Sequence, residues 1–204
     1  MWRIAFISLA LVMATVRSAF AVEEPKYSIV HQYADFEVRD YPAYLVAETT
    51  VESDFEDAGS KAFQRLFNYI SGQNSGGQSI EMTAPVVQKG QKIAMTAPVI
   101  QSGGSNSFSI QFVMPAKWTL ATLPKPNDKS VVIREVPAAR FAVIRYSGFW
   151  SRSRYDTQLA ALQSAMEHEH IKASGSPIWA RYDPPFMPWF LRRNEIMIPV
   201  SREQ

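Results

Sequence analysis

Three histidines, His31, His168 and His170, are the only imidazoles available for metal ligation or proton transfer, and there is no cysteine. That absence excludes thiolate ligation, covalent C-x-x-C-H haem attachment and a cysteine nucleophile. His168 and His170 stand two apart in a segment with helical spacing, where side chains point to nearly opposite sides, so they do not form a metal pair unless the helix ends early. Interleaved with Glu167 and Glu169, they read as a solvated helix terminus, which suits histidine at the negative end of the dipole. His31 lies in the first strand region. Asp40 and Glu135 each follow an arginine at equivalent positions of an internal repeat, and ion-paired carboxylates explain them more simply than an acid/base pair. The chain holds no G-x-S-x-G elbow, Walker loop, G-x-G-x-x-G or H-E-x-x-H. Residue chemistry therefore points to binding and away from catalysis, and the protein is expected not to be an enzyme.

The elements that must position such a site come in two related sets. Val38-Arg39-Asp40-Tyr41-Pro42-Ala43 recurs as Ile133-Arg134-Glu135-Val136-Pro137-Ala138, and such self-similarity implies related structural units. Each copy leads into an apolar strand, Tyr44 to Val51 and Arg140 to Tyr146, and then into a helix. In the first helix, capped by Ser53 or Asp54, apolar residues from Phe55 to Ile70 form a broad stripe, ended by Gly72. The second runs from about Ser151 to Ile171, with Tyr155, Leu159, Leu162 and Met166 on one side. Phe108, Ile110, Phe112 and Met114 alternate with less apolar neighbours, predicting a half-buried strand, as do Ile196, Ile198 and Val200. Ile80 to Val86 and Ile93 to Val99 form a local repeat read as a hairpin, with Pro85 and Pro98 at strand edges or bulges.

Arg3, the apolar run Ile4 to Val16 and Ala19-Phe20-Ala21 have the layout of a secretory signal, so residues 1–21 are expected to be removed. At 1.5 Å per residue that run spans about 20 Å, short of the ~30 Å hydrocarbon core, which favours a signal over a retained anchor. Export to the periplasm or medium follows as an expectation. Residues 22–204 suit one domain. Arg3 and Arg17 account for the whole formal charge of +2, so the remainder is neutral and offers no overall attraction to nucleic acid.

Four ordered motifs, Phe36-Glu37-Val38-Arg39, Met95-Thr96-Ala97-Pro98-Val99, Arg181-Tyr182-Asp183-Pro184-Pro185 and Arg192-Arg193-Asn194-Glu195, resemble those of the SOUL haem-binding family over about Pro25 to Val200. The resemblance implies an α+β fold in which duplicated strand-helix-strand units form a distorted antiparallel β-barrel flanked by two long helices. It also implies non-covalent haem or a related tetrapyrrole as ligand. The haem surface of the family maps onto Ser60, Phe63, Phe67 and Asn68, with Tyr182 close to the same groove. Phe63 and Phe67, one turn apart, could lie against a porphyrin face. They could equally be core, and the usual inward packing of apolar helix stripes favours core.

Some family members carry an axial histidine after the arginine of the first motif. This chain has Asp40 there, a poor substitute on haem iron, so His31 ranks first among the remaining ligand candidates and binding without strong ligation is the other reading. The aromatic segment Pro184 to Arg193 could cover the ligand, place Arg192 and Arg193 near propionates or touch a membrane surface; alternatively Trp189 and Phe190 plug the barrel end while Arg193 pairs with a carboxylate. A module for another hydrophobic small molecule and a small hydrolase on the same fold are the competing functions.

Overall fold

The computed structural model describes residues 22–90 and 107–202. The expected signal, the second arm of the local repeat with Pro98, and the Met95 to Val99 motif lie outside the described residues.

Nine antiparallel strands form one curled sheet: β1 (Ser28–Gln32), β2 (Glu37–Tyr41), β3 (Tyr44–Glu52), β4 (Val86–Gly90), β5 (Ser107–Val113), β6 (Val131–Val136), β7 (Ala139–Tyr146), β8 (Ile178–Arg181) and β9 (Asn194–Val200). Their spatial order is β1-β2-β7-β9-β8-β4-β5-β3-β6. The repeated hexapeptides supply β2 and β6 with their Pro-Ala turns, and the halves exchange partners, since β2 pairs with β7 and β6 with β3. Helix α1 (Phe55–Ile70) packs over β3, β5 and β6, whereas α2 (Arg152–His168) packs over β7 and β9. The duplication read in the sequence is thus an interlocked pair of strand-strand-helix units, and the fold is the expected α+β distorted barrel.

Helix α1 starts at Asp54, whose backbone carbonyl accepts the Ala58 amide while its side chain makes no capping hydrogen bond, and stops where Gly72, at φ 109°, takes the left-handed conformation that glycine adopts without strain. Its buried side, including Ala58, Ala62, Leu66 and Tyr69, lies on Ala47, Ile110 and Phe112 in the main core. Ser151 caps α2 by accepting the Arg154 amide. This helix ends at His168, three residues before the expected Ile171. His170, at φ 58°, directs its amide to the Glu167 carbonyl while the Ile171 amide reaches back to Met166, and that reversal terminates the helix.

Strand β5 departs from the half-buried expectation, because all seven residues are buried. Phe108, Ile110 and Phe112 face the helices, while the curl encloses the opposite face, where Gln111 donates to Glu48. Alternation reveals which residues share a face; it does not reveal that the second face is also covered. The sequence-predicted strand around Ile80 begins only at Val86, so Pro85 sits immediately before a strand, where its missing amide costs no ladder bond.

Candidate functional site

The margin of α1 carries the aromatic surface. Positions buried against the sheet use up one side of the helix, and Phe63 and Phe67, four residues apart, fall just beyond it. Phe63 is half-buried, with its ring edge-on to Phe112 at 5.4 Å, while Phe67 stacks on Phe63 at 5.7 Å and 13° and remains 41% exposed. Phe63 thus packs against the core as expected, whereas Phe67 corrects the core expectation: the apolar stripe is wider than the surface the sheet offers. Ser60 is exposed and Asn68 half-buried on the neighbouring strip, where Gln64 donates to the Asn68 Oδ1 at 2.7 Å. Four of the expected site residues therefore share one accessible helix face with a flat aromatic centre and neutral hydrogen-bonding groups beside it. Lys61 and Arg65, both exposed on the next strip, add cations that the sequence reading did not single out, although their i,i+4 spacing was visible.

None of the residues on that strip of α1 is a histidine. His31 is exposed on β1, the edge strand at the opposite end of the strand order from α1's strands, and its ring packs on Tyr33 at 4.3 Å. Asp40 is held by Arg140 through two hydrogen bonds of 2.9 Å, which lower its pKa below the ordinary value. Among the described residues no cluster of histidine and carboxylate side chains could hold a metal ion. His168 lies exposed beside Glu169, as the solvated-terminus reading expects. Glu135 is exposed on β6, no contact joins it to Asp40, and the imagined acid/base pair is not assembled.

Tyr182 belongs elsewhere. It follows β8 in step with Ile178 and Ala180, on the face turned away from the helices, and packs with Tyr41, Phe141, Val143 and Met197. There it donates to Glu195 at 2.9 Å. Glu195 is fully buried and also accepts from Arg39 at 3.0 Å and Arg193 at 3.0 Å. Arg39 reaches Glu37 and the Tyr41 hydroxyl, and Arg193 lies 3.7 Å over the Tyr182 ring and pairs with Glu24 at 2.9 Å. Burial pulls both arginine pKa values down, but the Glu195 charge acts together with Tyr41 and Glu37 on Arg39, and with Tyr182 and Glu24 on Arg193, and leaves both above their ordinary range; burial beside Glu195 raises Tyr182. Three motifs separated in sequence thus converge on one satisfied charge network. Tyr182 is a member of it, and the structure does not bring Tyr182 to the Phe63–Phe67 face as expected.

The same chain region matches a family model. Residues 22–199 fit the SOUL heme-binding protein family, the greater part of the chain. The protein belongs to this family. Its relatives include heme-binding protein 2 of Homo sapiens, 28% identical over 162 residues, covering 74% of this chain and 73% of the human one. Heme-binding protein 1 of Bos taurus is 24% identical over 172 residues, covering 84% and 80%. The C-terminal domain of EcmrR shares the fold, with a TM-score of 0.60 at 13% identity over 86% of this chain and 98% of that domain. A hydrolase from Listeria innocua does likewise, with a TM-score of 0.55 at 12% identity over 83% and 94%. Among the described residues, three of the motifs that resemble the family meet in the Glu195 network, and Phe67 of α1 lies exposed apart from it.

Proposed function

We propose that the protein binds haem or a related tetrapyrrole non-covalently on the exposed face of α1, without strong axial ligation and without catalysing a reaction on it. The observation that supports this most is the near-parallel Phe63–Phe67 pair at the margin of α1, with Phe63 half-buried against the core and Phe67 open to solvent. A macrocycle needs a flat apolar wall with polar and cationic groups at its edge. The two rings provide the wall, Ser60, Gln64 and Asn68 its hydrogen-bonding border, and Lys61 and Arg65 charges suited to propionates. With Asp40 tied to Arg140 and His31 on a distant strand of the sheet order, ring contact supplies the affinity. The leader-like residues 1–21 support an exported location, which N-terminal sequencing of the protein recovered from cells tests: a chain beginning at Val22 is expected, and one beginning at Met1 or Trp2 overturns it.

Titrating the protein with hemin and following the Soret band tests the binding. Saturation near one equivalent is expected, with His31→Ala unchanged in affinity and spectrum and with Phe63→Asp and Phe67→Asp each weakened at least tenfold while still folded. A Soret band that never saturates, or one abolished by His31→Ala, overturns the reading.

A second reading rests on a cavity of about 510 Å³ between Glu23–Lys26, the Pro42-Ala43 turn and Trp118, a volume suited to a small apolar ligand. Mass spectrometry of the protein released from native purification distinguishes it: a stoichiometric non-tetrapyrrole ligand would favour the cavity.

A further inference from the structure

The loop between β8 and β9 shows a feature that the tetrapyrrole reading does not use. Phe186, Trp189, Phe190 and Leu191, joined by Phe149, are between 48% and 84% exposed. The sequence allowed Trp189 and Phe190 to plug the barrel end; instead they point outward, although Arg193 does pair with carboxylates as that alternative required. Exposed rings that touch one another, as Phe149, Trp189 and Phe190 do, mark an interaction surface, unlike single exposed side chains.

The patch is held in shape by its own backbone. Arg192 donates from Nε to the Met187 carbonyl at 2.7 Å and from a terminal nitrogen to the Pro185 carbonyl at 2.6 Å. Asp183 accepts the Arg193 amide, and Met187 closes a turn onto Pro184. The Gly148 amide donates to the Trp189 carbonyl at 3.0 Å, which brings Phe149 into a stack with Trp189 at 5.1 Å; Phe190 meets Trp189 edge-on at 5.5 Å. A knob organised before contact loses little freedom on binding. Cations stand at its base. Arg192 lies 4.6 Å over the Trp150 ring, and Arg154 donates to the Ser147 carbonyl. Among the described residues neither guanidinium forms a salt bridge.

We infer that this knob seats the protein on the surface of an anionic lipid bilayer, with its aromatic rings among the acyl-chain ends and Arg154 and Arg192 at headgroup level. Mixed Trp and Phe above a cationic base is the composition that the bilayer interface selects. No helix among the described residues is long and apolar enough to cross a membrane, so the association is peripheral at this knob. A protein partner of standard size needs about 800 Å² from each side, and the loop's polar main chain is already spent on internal hydrogen bonds, so the knob offers rings and charge with few hydrogen bonds for a specific protein surface. The inference is independent of what α1 binds.

Flotation with vesicles of 70% phosphatidylcholine and 30% phosphatidylglycerol, and with pure phosphatidylcholine, tests it. The protein is expected to float with the anionic vesicles and more weakly with the neutral ones. Phe186→Ser/Phe190→Ser should lower partition into both at least tenfold, given the transfer free energy of an aromatic side chain. Arg154→Gln should lower partition about fivefold into the anionic vesicles alone, the factor expected of one surface cation. Circular dichroism of each variant verifies the fold. Equal flotation of wild type and the double serine variant, or no flotation of either, overturns the proposal. A dimer in size-exclusion chromatography that the double serine variant converts to monomer also overturns it, since the knob would then bind a second copy.

Discussion

Replacing Glu195 by Gln keeps the shape of the residue and removes the charge around which the far face of the sheet is built. The carboxylate is fully buried and receives hydrogen bonds from Arg39, Arg193 and Tyr182. Its loss leaves two guanidinium groups, Arg39 buried and Arg193 half-buried, facing a neutral amide. Removing one partner of a buried ion pair costs about 3–5 kcal/mol. Arg39 retains Glu37 and Arg193 retains Glu24, so the lower end, about 3 kcal/mol, is expected. For a domain of this size that lowers the melting temperature by about 6–12 °C. Urea unfolding followed by circular dichroism measures it, with the midpoint moving and the slope unchanged. Because α1 lies on the opposite face, hemin affinity of Glu195→Gln should match wild type under conditions where both are folded. The double variant Arg39→Met/Glu195→Gln should recover part of the loss. A Glu195→Gln variant within about 0.5 kcal/mol of wild type, the range of an ordinary surface change, would refute the network's structural role.

Three further outcomes follow. His170→Gly should stabilise by about 0.5 kcal/mol, since a left-handed residue costs about 1–2 kcal/mol and the freedom glycine adds to the unfolded chain returns about 0.4–1; an unchanged or lowered urea midpoint contradicts this. Gly59→Ala should destabilise by about 1–3 kcal/mol despite better helix propensity. Its Cβ would collide with the Arg181 guanidinium, which is packed 4.8 Å over Trp179 and 5.2 Å over Trp150, and thermal melts should show the loss. The hydrogen bonds from Arg140 hold the Asp40 pKa below its ordinary 3.8, so the stability from that pair is complete above the unfolded value and is lost as pH falls through the folded one. The urea midpoint of wild type should therefore fall more steeply below about pH 4 than that of Asp40→Asn, and parallel pH profiles would remove Asp40 as a contributor.

Much of the architecture was legible because it repeats. The Val38 to Ala43 and Ile133 to Ala138 copies announced two units, and β3, α1, β7 and α2 fell close to the expected segments. The exchange of partners between units was not legible, because a hexapeptide does not state which strand it will pair with. Nor was the enclosed second face of β5, since Ser107, Ser109 and Gln111 read as solvent-facing until the curl covers them. For the site, the spacing of Phe63 and Phe67 placed both on α1, but their exposure depends on how much of the helix the sheet covers. Tyr182 was assigned by motif to the helix face. Its parity with Ala180 puts it on the other face, beside Glu195, a partner thirteen residues away that only strand pairing reveals. The network itself depended on residues from Glu24 to Glu195 meeting in space.

Mapping the bound tetrapyrrole by amide chemical shifts tests the central claim most directly. Zinc protoporphyrin, added to the isotopically labelled protein, should perturb the amides of α1 from Ser60 to Asn68 through ring currents and leave those of Tyr182 and Glu195 in place. Shifts centred on Tyr182 and Glu195, or on the Pro42-Ala43 turn and Trp118 with α1 unmoved, would contradict the account.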